Sequence, residues 1–387
     1  MVLPKGWDKK TLGESCTLQR GFDLPKRLRV KGEHPLISSS GCIDSHNEPK
    51  VAGPGVVTGR SGSIGSLFYI EDDFWPLNTT LYVKNYFGND PRFIFYLLKH
   101  IDLKRFASGA GVPTLNRNNV HSESILIPSD SSEQKRIVGI LDKAFASIDK
   151  AIANTEKNLA NARELFERLV ADSIFVDPDA QQWESKLVAD LAVKEKGSMR
   201  TGPFGSQLLH KEFVDEGIAV LGIDNAVKNE FSWGKHRFIT DEKYEQLSRY
   251  TVHPGDVIIT IMGTCGRCAV IPDDIPLAIN TKHLCCITLD HDICLPEYLH
   301  AYFLYHPTAI SFLTSKAKGA IMSGLNMGII KKLPVRLPSL KEQKDIVGKV
   351  SEAKQNYLKM TQLYQQKLTN LQDLKQSILQ KAFAGEL

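Results

Sequence analysis

Four cations in six residues, Lys26-Arg27-Leu28-Arg29-Val30-Lys31, carry the strongest chemical signal in the first third of this chain. Lys26, Arg27, Arg29 and Lys31 could neutralise successive phosphates, with an affinity that falls as salt rises. A solvated charged loop would read the same way. Two Gly/Ser loops point in a similar direction: Gly59-Arg60-Ser61-Gly62-Ser63-Ile64-Gly65 and Gly263-Thr264-Cys265-Gly266-Arg267. Closely spaced glycines let backbone amides approach a phosphate, and Arg60 or Arg267 could reach a phosphate or a guanine edge, with Ser61, Ser63 and Thr264 beside them. The same glycines would also serve a plain hairpin turn. The polar run 109–119 holds Thr114, Asn116, Arg117 and Asn118, and its counterpart 316–326 holds Lys316, Lys318, Ser323 and Asn326. Asn can pair two bonds with adenine and Arg with guanine. Asn78-Thr79 and Asn280-Thr281-Lys282 stand just before strand-like runs and could contribute likewise, although an Asn at a turn often bonds only its own backbone.

Catalytic patterns are weak. No Gly-x-x-x-x-Gly-Lys-Ser/Thr loop occurs, and no Pro-Pro, so the Asn/Asp-Pro-Pro-Tyr/Phe tetrapeptide of amino methyltransferases is missing. Pro178-Asp179 with Glu184-Ser185-Lys186 imitates a nuclease carboxylate motif at too short a spacing. Cys265 and Cys268 with Cys285 and Cys286 give a zinc-like count of thiols. Adjacent strand residues face opposite ways, which opposes joint ligation by the last two, so no metal is expected. The eleven histidines show no ligand-type pairing.

The elements that must position these residues are written twice. Glu133-Gln134-Lys135-Arg136-Ile137-Val138-Gly139 recurs as Glu342-Gln343-Lys344-Asp345-Ile346-Val347-Gly348, each copy after an apolar-Pro step. Leu115-Asn116 is echoed by Leu325-Asn326, and Asn78-Thr79 by Asn280-Thr281. A fairly constant offset means that a whole unit is duplicated. Short β-branched and aromatic runs at 55–58, 66–70, 80–83, 256–260 and 284–289 predict strands between Gly, Pro and Asn turns. Pro91 and Pro296 each open a predicted helix.

From 132 to about 175 and from 340 to 384 the pattern turns helical, with Ser131 or Ser132 able to cap the first. The seam of the first is Ile137, Leu141, Ala144, Ile148, Ala151, Thr155, Asn158 or Leu159, Ala162, Phe166 and Leu169. That of the second is Ile346, Val350, Ala353, Tyr357, Met360, Tyr364, Leu368, Leu371, Leu374 or Lys375, and Ile378. Four-three spacing this long is a coiled-coil seam and predicts that the two helices pack antiparallel, holding two globular bodies apart. The expected fold is α+β: a first body at 1–130, a central helix at 131–178, a second body at 179–338 and a last helix at 339–387.

Composition sets the frame. The chain has 387 residues, 42% apolar and 24% charged, with a net charge of +4, which by itself is too small to argue for nucleic acid. Seven cysteines, an odd number, fit a reducing cytoplasm, and neither a signal peptide nor a membrane span is expected.

On the two Glu-Gln-Lys helix entries, on Ser377-Ile378-Leu379-Gln380-Lys381-Ala382-Phe383-Ala384-Gly385-Glu386-Leu387 and on the related Ala171-Asp172-Ser173-Ile174-Phe175, the chain resembles the specificity subunits of type I restriction-modification systems. The resemblance covers essentially the whole chain. It implies two target recognition domains, each reading one half of a split site on double-stranded DNA, with the helix pair setting the gap. It implies no catalysis and no cofactor in this chain. Two modification subunits would methylate adenine N6 with S-adenosylmethionine, and two restriction subunits would use ATP and Mg. The competing expectation is a non-catalytic coiled-coil adaptor that bridges proteins without reading bases.

Overall fold

The computed structural model describes residues 4–109, 113–171, 175, 183–317 and 324–387. The chain forms two compact units, one of 1–157 with 364–387 and one of 158–363. In the first, β1 (Trp7–Thr11) and α1 (Leu12–Ser15) lead into β2 (Thr17–Arg20), β3 (His34–Ser38), β4 (Gly41–His46), β5 (Gly55–Gly59), β6 (Leu67–Ile70), β7 (Trp75–Pro76) and β8 (Thr80–Asn85). Then come α2 (Pro91–His100), the short pair β9 (Ala107–Ser108) and β10 (Thr114–Leu115), α3 (Arg117–His121), β11 (Ser124–Pro128) and the long α4 (Ser131–Leu169).

The second unit repeats the plan with β12 (Glu184–Leu187), α5 (Val188–Leu191), β13 (Met199–Thr201), β14 (Ile218–Leu221), β15 (Phe238–Ile239), α6 (Asp241–Leu247), β16 (Val257–Thr260), β17 (Cys268–Val270), β18 (Ala278–Asn280) and β19 (Leu284–Ile287). It continues with α7 (Pro296–Tyr305), α8 (Pro307–Ala317), α9 (Met327–Lys331), β20 (Pro334–Leu337) and α10 (Leu340–Ala384), whose part from 364 on belongs to the first unit, as the end of α4 from 158 on belongs to the second.

The two main sheets and the closing strand pair recur in both units, whereas the β9–β10 pair has no counterpart among the described residues of the second. A four-stranded sheet runs β2-β8-β5-β6 in one unit and β13-β19-β16-β17 in the other. A three-stranded sheet runs β4-β3-β7 and β15-β14-β18, its second pairing parallel in both. β1 closes on β11, and β12 on β20, just ahead of each long helix. Apolar runs explain the strands: Val56 and Val57, and Val257, Ile258 and Ile259, are all buried because both sheet faces are covered. Cys285 and Cys286 alternate as expected, one facing the helix-covered core and the other a second cluster with Ile258 and Leu284.

Helix starts follow local chemistry. Asp90 caps α2 by accepting from the amides of Arg92 and Phe93, and Pro91 occupies the first turn, where no amide partner is needed. α10 starts with a capping box, since Ser339 Oγ accepts from the Glu342 amide (3.4 Å) while Glu342 accepts from the Ser339 amide (2.9 Å). Ser131 and Ser132 do not cap α4. Asp130 does, its Oδ1 accepting from the Ser132 amide at 2.9 Å, because a carboxylate one residue earlier reaches the same free donors.

The long helices pair antiparallel within each unit. In the first, the Lys375 ammonium bonds Asp149 and lies 5.1 Å from the Phe145 ring. In the second, Phe166 stacks on Tyr357 at 5.1 Å. Ile137, Leu141, Ile148, Thr155, Ala162, Phe166, Ile346 and Val350 are buried as the spacing predicts. Two seam positions move: Phe145 rather than Ala144 is buried, and Leu169 is 42% exposed while Val170 is buried. Of the pair Leu374 or Lys375, Leu374 is 46% exposed and the Lys375 stem turns inward. Burial at steps of three and four drifts around a straight helix, so a fixed heptad misplaces some positions by one.

Candidate nucleic-acid interface

In each unit, loops meet along one edge where strands of both sheets end. In the first unit the Arg60 and Ser61 amides donate to the Thr79 carbonyl (2.8 and 3.2 Å), and the Leu115 amide donates to Arg60 (2.8 Å). Ser61 also bridges to Thr114. Arg60, Ser61, Thr79 and Thr114 are therefore neighbours. The Thr79 hydroxyl accepts from the Ser39 amide (3.3 Å), which adds the turn Ser38-Ser39-Ser40 to the edge.

The glycine loops are built alike. Gly62 and Gly65, and Gly263 and Gly266, all have positive φ between 73° and 83°. The Ile64 amide donates to Gly62 (2.9 Å) as that of Cys265 does to Gly263 (3.1 Å). Turn geometry thus accounts for these glycines. What each turn displays is its side chains: Ser63 in one unit, Thr264 and Arg267 in the other, all exposed.

Hydrogen-bond register corrects one sequence equivalence. The Ile261 amide donates to His283 as that of Arg60 does to Thr79, and the Leu325 amide donates to Ile261 as that of Leu115 does to Arg60. Thr79 therefore corresponds to His283, and Asn78 to Lys282, not to Asn280. Asn280 takes the place of Pro76 and is fully buried, with Nδ2 donating to Leu284 O at 3.2 Å. It supports the edge from beneath and presents nothing to a ligand. Burial and the neighbouring Lys282 and Arg237 charges hold His283 below the usual imidazole range, so its ring is neutral near pH 7.

The other candidates divide into displayed and committed groups. Lys26, Arg27, Lys31, Arg117, Asn118 and Lys316 are exposed. Arg29 is half-buried and donates to Leu24 O (3.3 Å). Asn78 bonds Asp23, which also faces Arg20 at 3.4 Å. Asn116 and Asn326 cap α3 and α9 by accepting from Asn118 N and Ile329 N (3.0 Å each), the local bonding that Asn at turns favours. Lys318 and Ser323 lie outside the described residues. Sequence reasoning passed over Ser38, Ser39 and Ser40 and, in the second unit, Asp224, Lys235 and Arg237, whose membership of the edge depends on strand ends that only the sheet order brings together. Among the described residues, Lys26, Arg27, Lys31, Arg60 and Arg117 have no carboxylate partner; Arg60 and, next to Leu115-Asn116, Arg117 put unneutralised cations among the hydroxyls of the first edge, while the 26–31 segment is tied through Val30 to His46, at the other end of the β3–β4 pair. This mixture suits phosphate and base edges together.

This is a sheet-based scaffold presenting two polar, cationic loop edges on a helical pair. The type I restriction modification DNA specificity domain matches residues 4–159 and 183–372, and the chain belongs to that family. The type I restriction enzyme EcoBI specificity subunit of Escherichia coli is 29% identical over 174 residues, 45% of this chain and 36% of that relative; the matched stretch thus spans about a third of the relative's length. A chain from a structure on complex assembly and conformational transition of the type I restriction-modification system matches over 100% of both chains, with TM-score 0.77 and 17% identity. The HsdS subunit from Thermoanaerobacter tengcongensis matches over 100% of this chain and 99% of its own, with TM-score 0.58 and 16% identity. At such identities the likeness establishes the fold. No helix among the described residues is long and apolar enough to cross a membrane.

Proposed function

We propose that this chain is the DNA sequence-specificity subunit of a type I restriction-modification complex. Each unit reads one half of a bipartite site on double-stranded DNA. The α4–α10 pair sets the gap between halves and carries two modification subunits, with two restriction subunits completing the assembly. The chain itself performs no reaction and holds no cofactor; S-adenosylmethionine, ATP and Mg serve the partners. The observation that carries this reading is the pair of matching main sheets whose loop edges bear different side chains. Arg60, Ser61, Ser63, Thr79 and Thr114 stand on one edge, and Thr264 and Lys282 on the other, with Arg267 at the foot of the same turn, lining a groove with Leu304 and Thr314. A fixed frame with divergent polar edges is what two separate sequence readers need.

Residues 1–130 exchanged for the same segment of another family member test this in a host carrying the modification partner. Mapping of methylated adenines should show one half of the site changed and the other retained. Two unchanged halves would refute the proposal. An adaptor that reads no bases would bind all duplexes equally in competition at fixed salt, even with its partners present.

A further inference from the structure

The two units differ most in one connection at the reading edge. β3 and β4 are joined by Ser39-Ser40, whereas residues 222–237 separate β14 from β15. This longer connection leaves the end of β14 beside Thr281, whose amide donates to Leu221 O (2.9 Å), and Ile223 Cδ1 lies 3.2 Å from where a Cβ on Gly263 would stand. It therefore begins among the turns that carry Thr264 and Lys282.

The loop is held in one shape. Asn225 is buried; it accepts from Gly222 N (2.8 Å) and donates to Ser232 O (3.0 Å). Asp224 accepts from Lys235 N (2.6 Å) and from the Arg237 guanidinium, and Gly234 packs so closely that a Cβ there would meet Asp224 Oδ2 at 2.0 Å. Burial pushes the Asp224 carboxyl up, but the bonds from Arg237 and Lys235 outweigh it and hold it below the usual carboxylate range. Between these anchors Trp233 is 51% exposed, with Phe231 edge-on at 5.3 Å. The other tryptophans, Trp7, Trp75 and Trp183, are at most 8% exposed. Both carboxylates of the loop are neutralised internally, Asp224 by Arg237 and Glu230 by Lys354. Lys228 and Lys235 remain exposed, so the loop that bears the indole is net positive.

We propose that Trp233 is a DNA-contacting anchor of the second unit, its indole laid against the apolar surface of nucleotides in the second half-site while Lys228 and Lys235 meet the adjoining phosphates. This rests on the DNA-reading function proposed above. The positive surroundings favour duplex over an acid-poor protein surface, and a loop tied down at Asp224 and Asn225 loses little freedom on binding. Asp224 acts as a positioning residue.

The full chain labelled with 5-fluorotryptophan should give four fluorine resonances, one of them sensitive to solvent exchange into D2O and absent from W233F. A duplex carrying the methylated site should shift that resonance and remove its solvent sensitivity; a duplex with the second half-site scrambled should not. W233A should weaken binding of the intact site by on the order of tenfold and leave discrimination at the first half unchanged. D224N should lose part of the fluorine shift with Trp233 still present. An unshifted, solvent-sensitive resonance at saturating specific binding would overturn the proposal, as would its protection by modification subunits without DNA. Equal affinity for intact and scrambled duplexes would instead overturn the DNA-reading function and this inference with it.

Discussion

Gln134 and Gln343, at the centre of the repeated helix entry, explain why that motif is written twice. Each is buried with its amide fully used. Gln134 Oε1 accepts from Asp90 N (2.9 Å), and Nε2 donates to Asn89 Oδ1 (2.8 Å) and Pro128 O (3.2 Å). Gln343 Oε1 accepts from Leu295 N (2.9 Å), and Nε2 donates to Ile293 O (3.0 Å) and Pro338 O (2.9 Å). Only an uncharged side chain with a donor and an acceptor at this length can tie the helix start to the body on both sides. Q134A or Q343A strands a buried amide and carbonyls, and should cost about 1–3 kcal/mol in urea unfolding. His306 gives a second expectation. Burial and the Arg336 charge lower its pKa from 6.5 to about 4, and its Nδ1 accepts from Thr308 N (3.1 Å). The folded state therefore binds the proton less readily than the unfolded state. Stability from this group is complete above about pH 6.5 and is lost as pH falls toward 4. H306N keeps an acceptor without the titration, and its unfolding midpoint should fall less than the wild type's between pH 7 and pH 5.

Element existence was legible because it rests on local chemistry. The span 340–384 read from periodicity is the observed Leu340–Ala384, and both proline-led helices start where proline is tolerated. The side chains that face inward were less legible near the helix ends. Phe145 meets Tyr96 at 5.5 Å and Phe383 meets Phe93 at 5.4 Å, so these turns pack on α2 as well as on the partner helix. A heptad describes one contact face, and a helix touching two neighbours buries a wider one. The site was least legible. Asn280 looks like Asn78 in sequence, but a two-residue shift in register places it in the core. Parallel pairing of two- and three-residue strands leaves no pattern along the chain that would reveal this. The repeated Gly139 and Gly348 yield a prediction at this scale. A Cβ at either meets nothing within 4 Å, so packing does not require glycine there. G139A and G348A should each stabilise the isolated chain by about 0.5–1 kcal/mol, read as a rise in its unfolding midpoint, because Ala gives up less backbone freedom in a helix interior.

At the scale of the whole molecule, both units draw on the same two helices, so neither body can be altered in its setting without the seam. Asp149 faces Lys375 in the first unit and Phe166 faces Tyr357 in the second, so each unit holds its own antiparallel stretch of the pair. If α4 and α10 set the unread gap, lengthening must be done in both helices at once, since a turn added to one alone would shift every later contact. Matched heptads inserted after Ala160 and after Gln362 preserve the seam and add about 10 Å, or about 3 base pairs at 3.4 Å each. The same insertion rotates one reader around the duplex by roughly a quarter turn, which an addition of 3 base pairs to the site compensates. Methylation mapping should then recover both half-sites unchanged in sequence with a gap about 3 base pairs longer. Recovery of the original gap would mean that the helices bear the modification subunits without measuring the DNA, and spacing would then have to reside in the partners.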